Sequence, residues 1–348
     1  MSFVVTDRCN SRCKTCRIGE RYLEDPSVAD GELTLAEYRR LLPTIGRVEW
    51  VTLSGGEPFQ RKDFPELAVA VAAALGPRVV NVPTNGTFVH AAVEGVRRIL
   101  AGTRARLVIN VSVDAVGADH DRVRGFQGNF DRLLELVRRL RALAHPRLTI
   151  GANTVLSRFN AEHAQATIDF VLDELAPDSY VLEAAQVRPE YHNAEVDLAA
   201  PPALVRAALE HAVLRLAEER RDGVAALVSA FRSHYYREAL RRLEGPVTHR
   251  CFAAYATCAI MPDGEVVSST ERGDPMGNVR DFDLDFRALW RSPSARAARR
   301  RVREAPCACQ SSNVSYPNAL LDPRAASRVL FAAARAYAPG AARRRGGA

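Results

Sequence analysis

Short apolar runs and amphipathic stretches alternate along the first half of the chain. The runs at residues 3–6, 48–53, 79–83, 107–113, 148–155 and 180–184 are nearly continuous in apolar residues. That texture predicts parallel strands buried on both faces. Between the runs, residues 33–42, 64–75, 91–101, 130–143 and 161–175 repeat apolar positions at helical spacing. Six βα units in series imply a parallel sheet with right-handed crossovers, closed as a barrel or partial barrel. Its active site belongs at the C-terminal ends of the strands.

The second half reads differently. Residues 200–244 are mostly helical after Pro201 and Pro202. Residues 259–267 hold Pro262-Asp263-Gly264 between two β-like runs, a hairpin signal. A helical turn over 285–290 and a helix over 294–304 are separated by Pro293. After Pro323 an Ala/Arg helix leads to a basic tail expected to be disordered. The expected units are a barrel over 1–195, a helical connector over 196–247, a small α+β domain over 248–325, and a terminal helix and tail over 326–348.

Composition narrows the class. The chain has 348 residues, 47% of them hydrophobic, enough for a substantial core. No apolar run approaches the roughly 20 residues of a membrane span, so no transmembrane segment is expected. The first residues are too short an apolar stretch for a signal peptide, and a cytoplasmic location is expected. The net charge of +7 invites a nucleic-acid reading. However, Lys14 and Lys62 are the only lysines, and the densest arginine cluster, residues 296–303, has no interleaved aromatics. That cluster reads as a solvated helix face, and no nucleic-acid partner is expected. The histidines show no metal spacing, and no phosphate loop occurs.

The seven cysteines change the picture. An odd number argues against a full disulfide framework, and clustered thiols in a reducing compartment are more often metal ligands. Cys9, Cys13 and Cys16 follow the first strand as CxxxCxxC. Three thiolates can hold three irons of a cubane, leaving the fourth iron open. An open position marks a catalytic metal site, whereas zinc with a fourth ligand from elsewhere is the alternative. A second motif, Ser54-Gly55-Gly56-Glu57-Pro58, ends the second strand. Its glycines permit close approach of a ligand, and Glu57 could accept hydrogen bonds from an ammonium group.

In this order, the two motifs resemble the radical S-adenosylmethionine (SAM) superfamily over roughly residues 3–190. The resemblance implies a partial (β/α)6 TIM-like barrel, of α/β class, with a small C-terminal α+β auxiliary-cluster domain. It implies a 4Fe–4S cluster on Cys9, Cys13 and Cys16, and SAM chelating the open iron. Gly55, Gly56 and Glu57 map to the segment that contacts the SAM amino group. Ser112 and Asp114 at the fourth strand's end, Asn85 after the third, Asn153 on the fifth and Arg188 after the sixth are further cofactor candidates. Strand-end caps and turns are the alternative for Asn153 and Arg188. The family often has an aromatic residue before the third cysteine; here it is Thr15.

Cys251, Cys258, Cys307 and Cys309 resemble the auxiliary extension called SPASM, or its shortened twitch form. Ser269 stands where that pattern usually has a cysteine. At most one auxiliary 4Fe–4S cluster is therefore expected, on these four cysteines. The alternative for Cys258 is a small buried hydrophobe.

The resemblance implies reductive cleavage of SAM to a 5′-deoxyadenosyl radical, which abstracts hydrogen from an unactivated carbon. A flavodoxin-type or ferredoxin-type reductant is implied as partner. The short stretch before Cys9 leaves no room for a leader-recognition domain, which tilts the expected substrate to a small molecule or lipid-like compound, with a possible net oxidation. A precursor peptide undergoing maturation is the runner-up, and a zinc-stabilised binding protein is the rival from another class.

Overall fold

A computed structural model describes residues 1–218, 223–245, 250–305, 309 and 311–337. All six predicted strands form: β1 Ser2–Val4, β2 Trp50–Ser54, β3 Val79–Thr84, β4 Arg106–Ser112, β5 Leu148–Leu156 and β6 Ser179–Ala184. They lie in the order β6-β5-β4-β3-β2-β1, each pair parallel. The sheet does not close on itself, so the partial barrel is an open one.

The C-terminal hairpin extends this same sheet. β7 (Ala259–Ile260) lies parallel beside β1, with Ser2 opposite Ala259 and Phe3 opposite Ile260. β8 (Glu265–Val267) and β9 (Pro275–Asn278) continue it antiparallel. The short strand that precedes the cysteine loop is thus flanked on both sides. At the other edge, the backbone N–H of Leu182 donates to the Tyr236 hydroxyl at 2.9 Å. Tyr236 belongs to the helix Gly223–Glu244, which covers an edge that would otherwise expose unpaired backbone.

The central strands are buried on both faces, as expected from their apolar runs, but the two faces differ in polarity. Val51, Leu53, Val80, Val82, Leu107, Ile109 and Val111 pack into the hydrophobic core. Alternate positions carry Thr52, Asn81 and Asn110, linked by side-chain hydrogen bonds (Asn110 to Asn81 at 2.6 Å, Asn81 to Thr52 at 3.4 Å). Successive side chains on a strand point to opposite faces, so these three line the inner, concave face. An interior lined with amides and hydroxyls is a place for a polar ligand, not a sealed core.

Helix Phe64–Leu75 has the predicted bounds and ends at Gly76 in the left-handed conformation, φ 58°. The predicted helix over 161–175 is broken into a 3-10 turn, the α-helix Ala164–Asp169 and a π-turn, Phe170–Leu175. Two short helices, Ile18–Glu24 and Ala118–Arg124, were not expected. Each has about two turns and too few apolar positions to show a period. Both flank the cysteine loop.

Candidate active site

Sequence places the cysteine loop just past the end of β1 and the glycine turn just past β2, and the parallel register brings them together. Gly56 N donates to the Thr6 carbonyl at 2.8 Å, and Glu57 N to the Arg8 carbonyl at 2.7 Å. This stitching explains the glycine pair. A Cβ on Gly56 would stand 2.2 Å from the Arg8 oxygen and 2.9 Å from Cys9 Cβ. The loop's other flank is tied to distant segments. Lys14 N donates to the Val123 carbonyl, Arg17 N to the Tyr191 carbonyl, and Asn193 Nδ2 to the Thr15 carbonyl. Helix Ile18–Glu24 enters so closely that a Cβ on Gly19 would lie 1.9 Å from the Ser11 oxygen.

Within this cradle Cys9, Cys13 and Cys16 are free thiols. Burial, and then the charge of Cys13, pushes the Cys9 thiol up to about 12. The same two causes raise Cys16, and Cys9 adds to them. Cys9 and Cys16 thus both feel the charge of Cys13, as neighbours on one loop do. The buried Arg124 guanidinium opposes the shift at all three. Among the described residues, no group of three or more His, Cys, Asp or Glu is arranged to hold a single metal ion. A cubane asks for something else: thiols spread around a cavity, one per iron. Three free thiols in one buried pocket fit that requirement and leave one iron for an outside ligand.

The candidate residues sort by what they touch. Glu57 is fully buried, and its carboxylate faces inward. Oε1 accepts from Phe59 N at 3.1 Å and Thr84 Oγ1 at 2.9 Å, and Oε2 from Asn85 N at 2.7 Å. Burial pushes its pKa up to about 7, against these three donors. The side chain thus locks the glycine turn to the end of β3. Asn85 continues the lock: Nδ2 donates to Asn10 Oδ1 at 2.9 Å and Ser11 Oγ at 3.1 Å, and lies 4.0 Å from Cys9 Sγ.

Asp114 is likewise engaged within the protein. Oδ1 accepts from Val155 N at 2.8 Å, and Oδ2 from Arg124 Nη1 at 3.0 Å. Its backbone N–H donates to His120 Nδ1 at 3.2 Å. The proton of neutral His120 is therefore on Nε2, which donates to Asn129 Oδ1 at 3.1 Å. Asn129 Nδ2 donates in turn to the Asn85 carbonyl at 2.8 Å. A continuous chain of hydrogen bonds thus joins the ends of β4 and β3 to the cysteine loop. Burial lowers the pKa of His120 to about 4, so it stays neutral in this chain.

Ser112 and Asn153 sit opposite one another in the β4–β5 register. Asn153 Oδ1 is buried without a hydrogen-bond partner. Arg188 lies apart from this group, beyond β6, among Glu183, Glu190 and Glu271. Sequence reading missed Arg124, His120, Asn129 and Glu271. None stands in a motif; they meet only through the crossover connections.

Two of the C-terminal cysteines meet the hydrophobic core, Cys258 within it and Cys251 against it. Cys258 is 4% exposed and packs in the hydrophobic core. Burial pushes its thiol up to about 12, opposed by the Met1 amino group and Arg299. Cys251 and Cys309 are half-buried. Cys307 and the basic tail from residue 338 lie outside the described residues. Ser269 holds a turn, its hydroxyl accepting from Arg272 N at 3.2 Å. Among the described residues, no helix is long and apolar enough to cross a membrane.

Comparison with known proteins agrees with the geometry. The family model described as Radical SAM superfamily matches residues 3–171. A pre-heme d1 synthase of Dinoroseobacter shibae is 36% identical over 143 residues, 38% of this chain and 31% of that protein. A GTP 3′,8-cyclase of Stenotrophomonas maltophilia is 33% identical over 177 residues, covering 49% and 50%. An Fe-coproporphyrin III synthase of Methanosarcina barkeri is 29% identical over 178 residues, covering 50% and 41%. The chain thus spans half or less of the length of these curated relatives. In fold, it resembles Streptococcus suis SuiB bound to S-adenosylmethionine, at 15% identity, TM-score 0.59, covering 86% of this chain and 67% of that one. It also resembles anSMEcpe with bound AdoMet, at 13% identity, TM-score 0.63, covering 96% and 95%. Residues 3–171 are thus similar to the Radical SAM superfamily, and the chain is similar to proteins named as enzymes over half or less of their length.

Proposed function

We propose that this enzyme cleaves SAM reductively and removes a hydrogen atom from an unactivated carbon of a small polar molecule. The observation that carries the reading is the pocket of three free thiols, stitched by backbone hydrogen bonds to the glycine turn. Cys9, Cys13 and Cys16 would hold a 4Fe–4S cluster, which with SAM supplies a strongly oxidising organic radical once a flavodoxin-type or ferredoxin-type donor has delivered an electron. The protein's part is placement and exclusion of water. Because the Glu57 carboxylate is engaged inside the fold, the backbone of Gly55 and Gly56 is the part of the turn left to meet the SAM amino group. Ser112 and Asn153 would meet the remainder of the cofactor from β4 and β5. Arg124 is the cationic neighbour that keeps a reduced, electron-rich centre from being destabilised by burial.

The polar inner face favours a hydrogen-bonding substrate over a lipid-like one. Relatives named for GTP cyclisation and for coproporphyrin synthesis match about half of this chain, so the shared part does not by itself select the target. An auxiliary cluster remains part of the proposal, resting on Cys251, Cys307 and Cys309. The core setting of Cys258 supports its reading as a buried hydrophobe.

Anaerobic reconstitution tests the reading. The expected product is a brown protein binding iron and sulfide, which forms 5′-deoxyadenosine from SAM and dithionite. A colourless protein with tightly bound zinc would refute it in favour of the binding-protein alternative.

A further inference from the structure

The cluster beyond β6 is unbalanced in both charge and hydrogen bonds. Arg188 is flanked by Glu183 Oε2 at 3.4 Å, Glu190 Oε1 at 3.4 Å and Glu271 Oε1 at 3.9 Å. One guanidinium faces three carboxylates. The Glu271 side chain is only 3% exposed, yet neither of its oxygens receives a hydrogen bond. Independently, Arg188, with its side chain 7% exposed, has an Nε–H with no acceptor. A buried carboxylate without donors, and a buried donor without acceptor, are each unfavourable unless something fills them.

The surroundings hold these groups in place. Ser268 Oγ and Arg272 Nε both donate to Asp274 Oδ2, at 2.9 and 2.7 Å, which pins the turn that carries Glu271. Arg188 N donates to Asn193 Oδ1 at 2.9 Å, and its Nη1 donates to the Tyr191 hydroxyl at 3.3 Å. Tyr191 and Asn193 also bind the cysteine loop, through Arg17 N and the Thr15 carbonyl. The pocket therefore adjoins the place where a radical would form. It draws Glu271 from the C-terminal half and the rest from β6 and the connection after it.

We propose that Glu271, with Glu190, binds an ammonium group of the substrate, and that Arg188 Nε donates to an oxygen neighbouring that ammonium. The inference rests on the radical reading above and adds the substrate class: an amine bearing a nearby hydroxyl, ether or carboxylate oxygen. An ammonium offers three donors and the positive charge the cluster lacks. The charge-assisted bonds it would make to Glu271 are among the stronger ones available to a ligand.

The test uses reconstituted holoprotein and ethanolamine as probe, with ethylene glycol as its uncharged counterpart and sodium chloride matching ionic strength. Ethanolamine should raise the melting temperature by a few degrees. Ethylene glycol should not, and the Glu271→Gln variant should lose the shift. The shift should persist with saturating SAM. No shift in the wild type, an equal shift with ethylene glycol, or an unchanged shift in Glu271→Gln overturns the proposal. So does loss of the shift when SAM is bound, which would make the pocket part of the SAM site. Should Glu271→Gln fail to fold, Glu190→Gln carries the same comparison. Formation of 5′-deoxyadenosine by the wild type is scored separately. Its absence counts against the radical reading, whereas the melting shift judges the amine pocket.

Discussion

The N-terminal and C-terminal cysteines are alike in type and unlike in setting. Cys9, Cys13 and Cys16 occupy one loop whose backbone is bound by the glycine turn, by Val123, by Tyr191 and by Asn193. Three separate connections of the barrel converge on residues 6–17. Among the C-terminal cysteines, Cys258 is instead spent on the core, and Cys251 packs against that core. A short spacing at a strand end lets one loop present several side chains to one point. Cysteines spread over many residues share a point only if the intervening fold returns them to it.

The largest effect that would break this contrast is loss of chemistry. Replacing Cys9, Cys13 and Cys16 together with Ala should abolish 5′-deoxyadenosine formation. If the auxiliary cluster is a cubane, about four irons per chain should remain, measured by iron assay. Near-zero iron would remove the C-terminal cluster from the proposal and leave the N-terminal one intact.

Next comes the cradle itself. Gly56→Ala drives a Cβ into the Arg8 carbonyl and Cys9. It should destabilise the protein by about 2 kcal/mol and lower iron loading at the first site. Gly31→Ala, with nothing within 4 Å, should change the denaturation midpoint negligibly. Equal behaviour of the two variants would show that the close approach at Gly56 is not what shapes the loop.

The hydrogen-bond chain behind the cradle predicts a pH effect of comparable size. The pKa of His120 falls from 6.5 to about 4 on folding, chiefly through burial. As pH drops, the unfolded chain takes up this proton first. The stabilisation is complete above 6.5 and is lost as pH falls towards 4, an effect of roughly 3 kcal/mol. Urea titrations of His120→Gln should show a flatter acid limb than wild type, and parallel limbs would rule the effect out.

The smallest effect sharpens the contrast from the other side. Cys258→Ala should cost about 1 kcal/mol, as loss of a small buried side chain, with total iron unchanged. A drop in iron would return Cys258 to the ligand set.

Much of the architecture was legible in the sequence because its signals are local. The apolar run at 79–83 became β3, and helix Phe64–Leu75 kept its expected bounds. The cysteine loop and glycine turn were legible for the same reason: each is one contiguous segment at a strand end. What escaped depends on partners distant in sequence. Arg124 has meaning only beside Cys13 and Asp114, and Glu271 only beside Arg188. Sequence likewise does not reveal the three donors, from Phe59, Thr84 and Asn85, that the Glu57 carboxylate accepts from. The polar inner face was hidden inside runs that look apolar, since Asn81 and Asn110 are single residues among valines and isoleucines.

The pairing of β1 with β7 has a consequence for the order of assembly. Ser2 waits for Ala259, so on a ribosome the far edge of the strand leading into the cysteine loop stays unpaired until most of the chain has emerged. Contacts so distant in sequence form late and slowly. For that interval, at synthesis rates of about 5–20 residues per second, the cysteine loop hangs on a strand held from one side only. On the cluster reading proposed above, iron and sulfide would reach the loop most easily then, before the hairpin docks and the strand is enclosed.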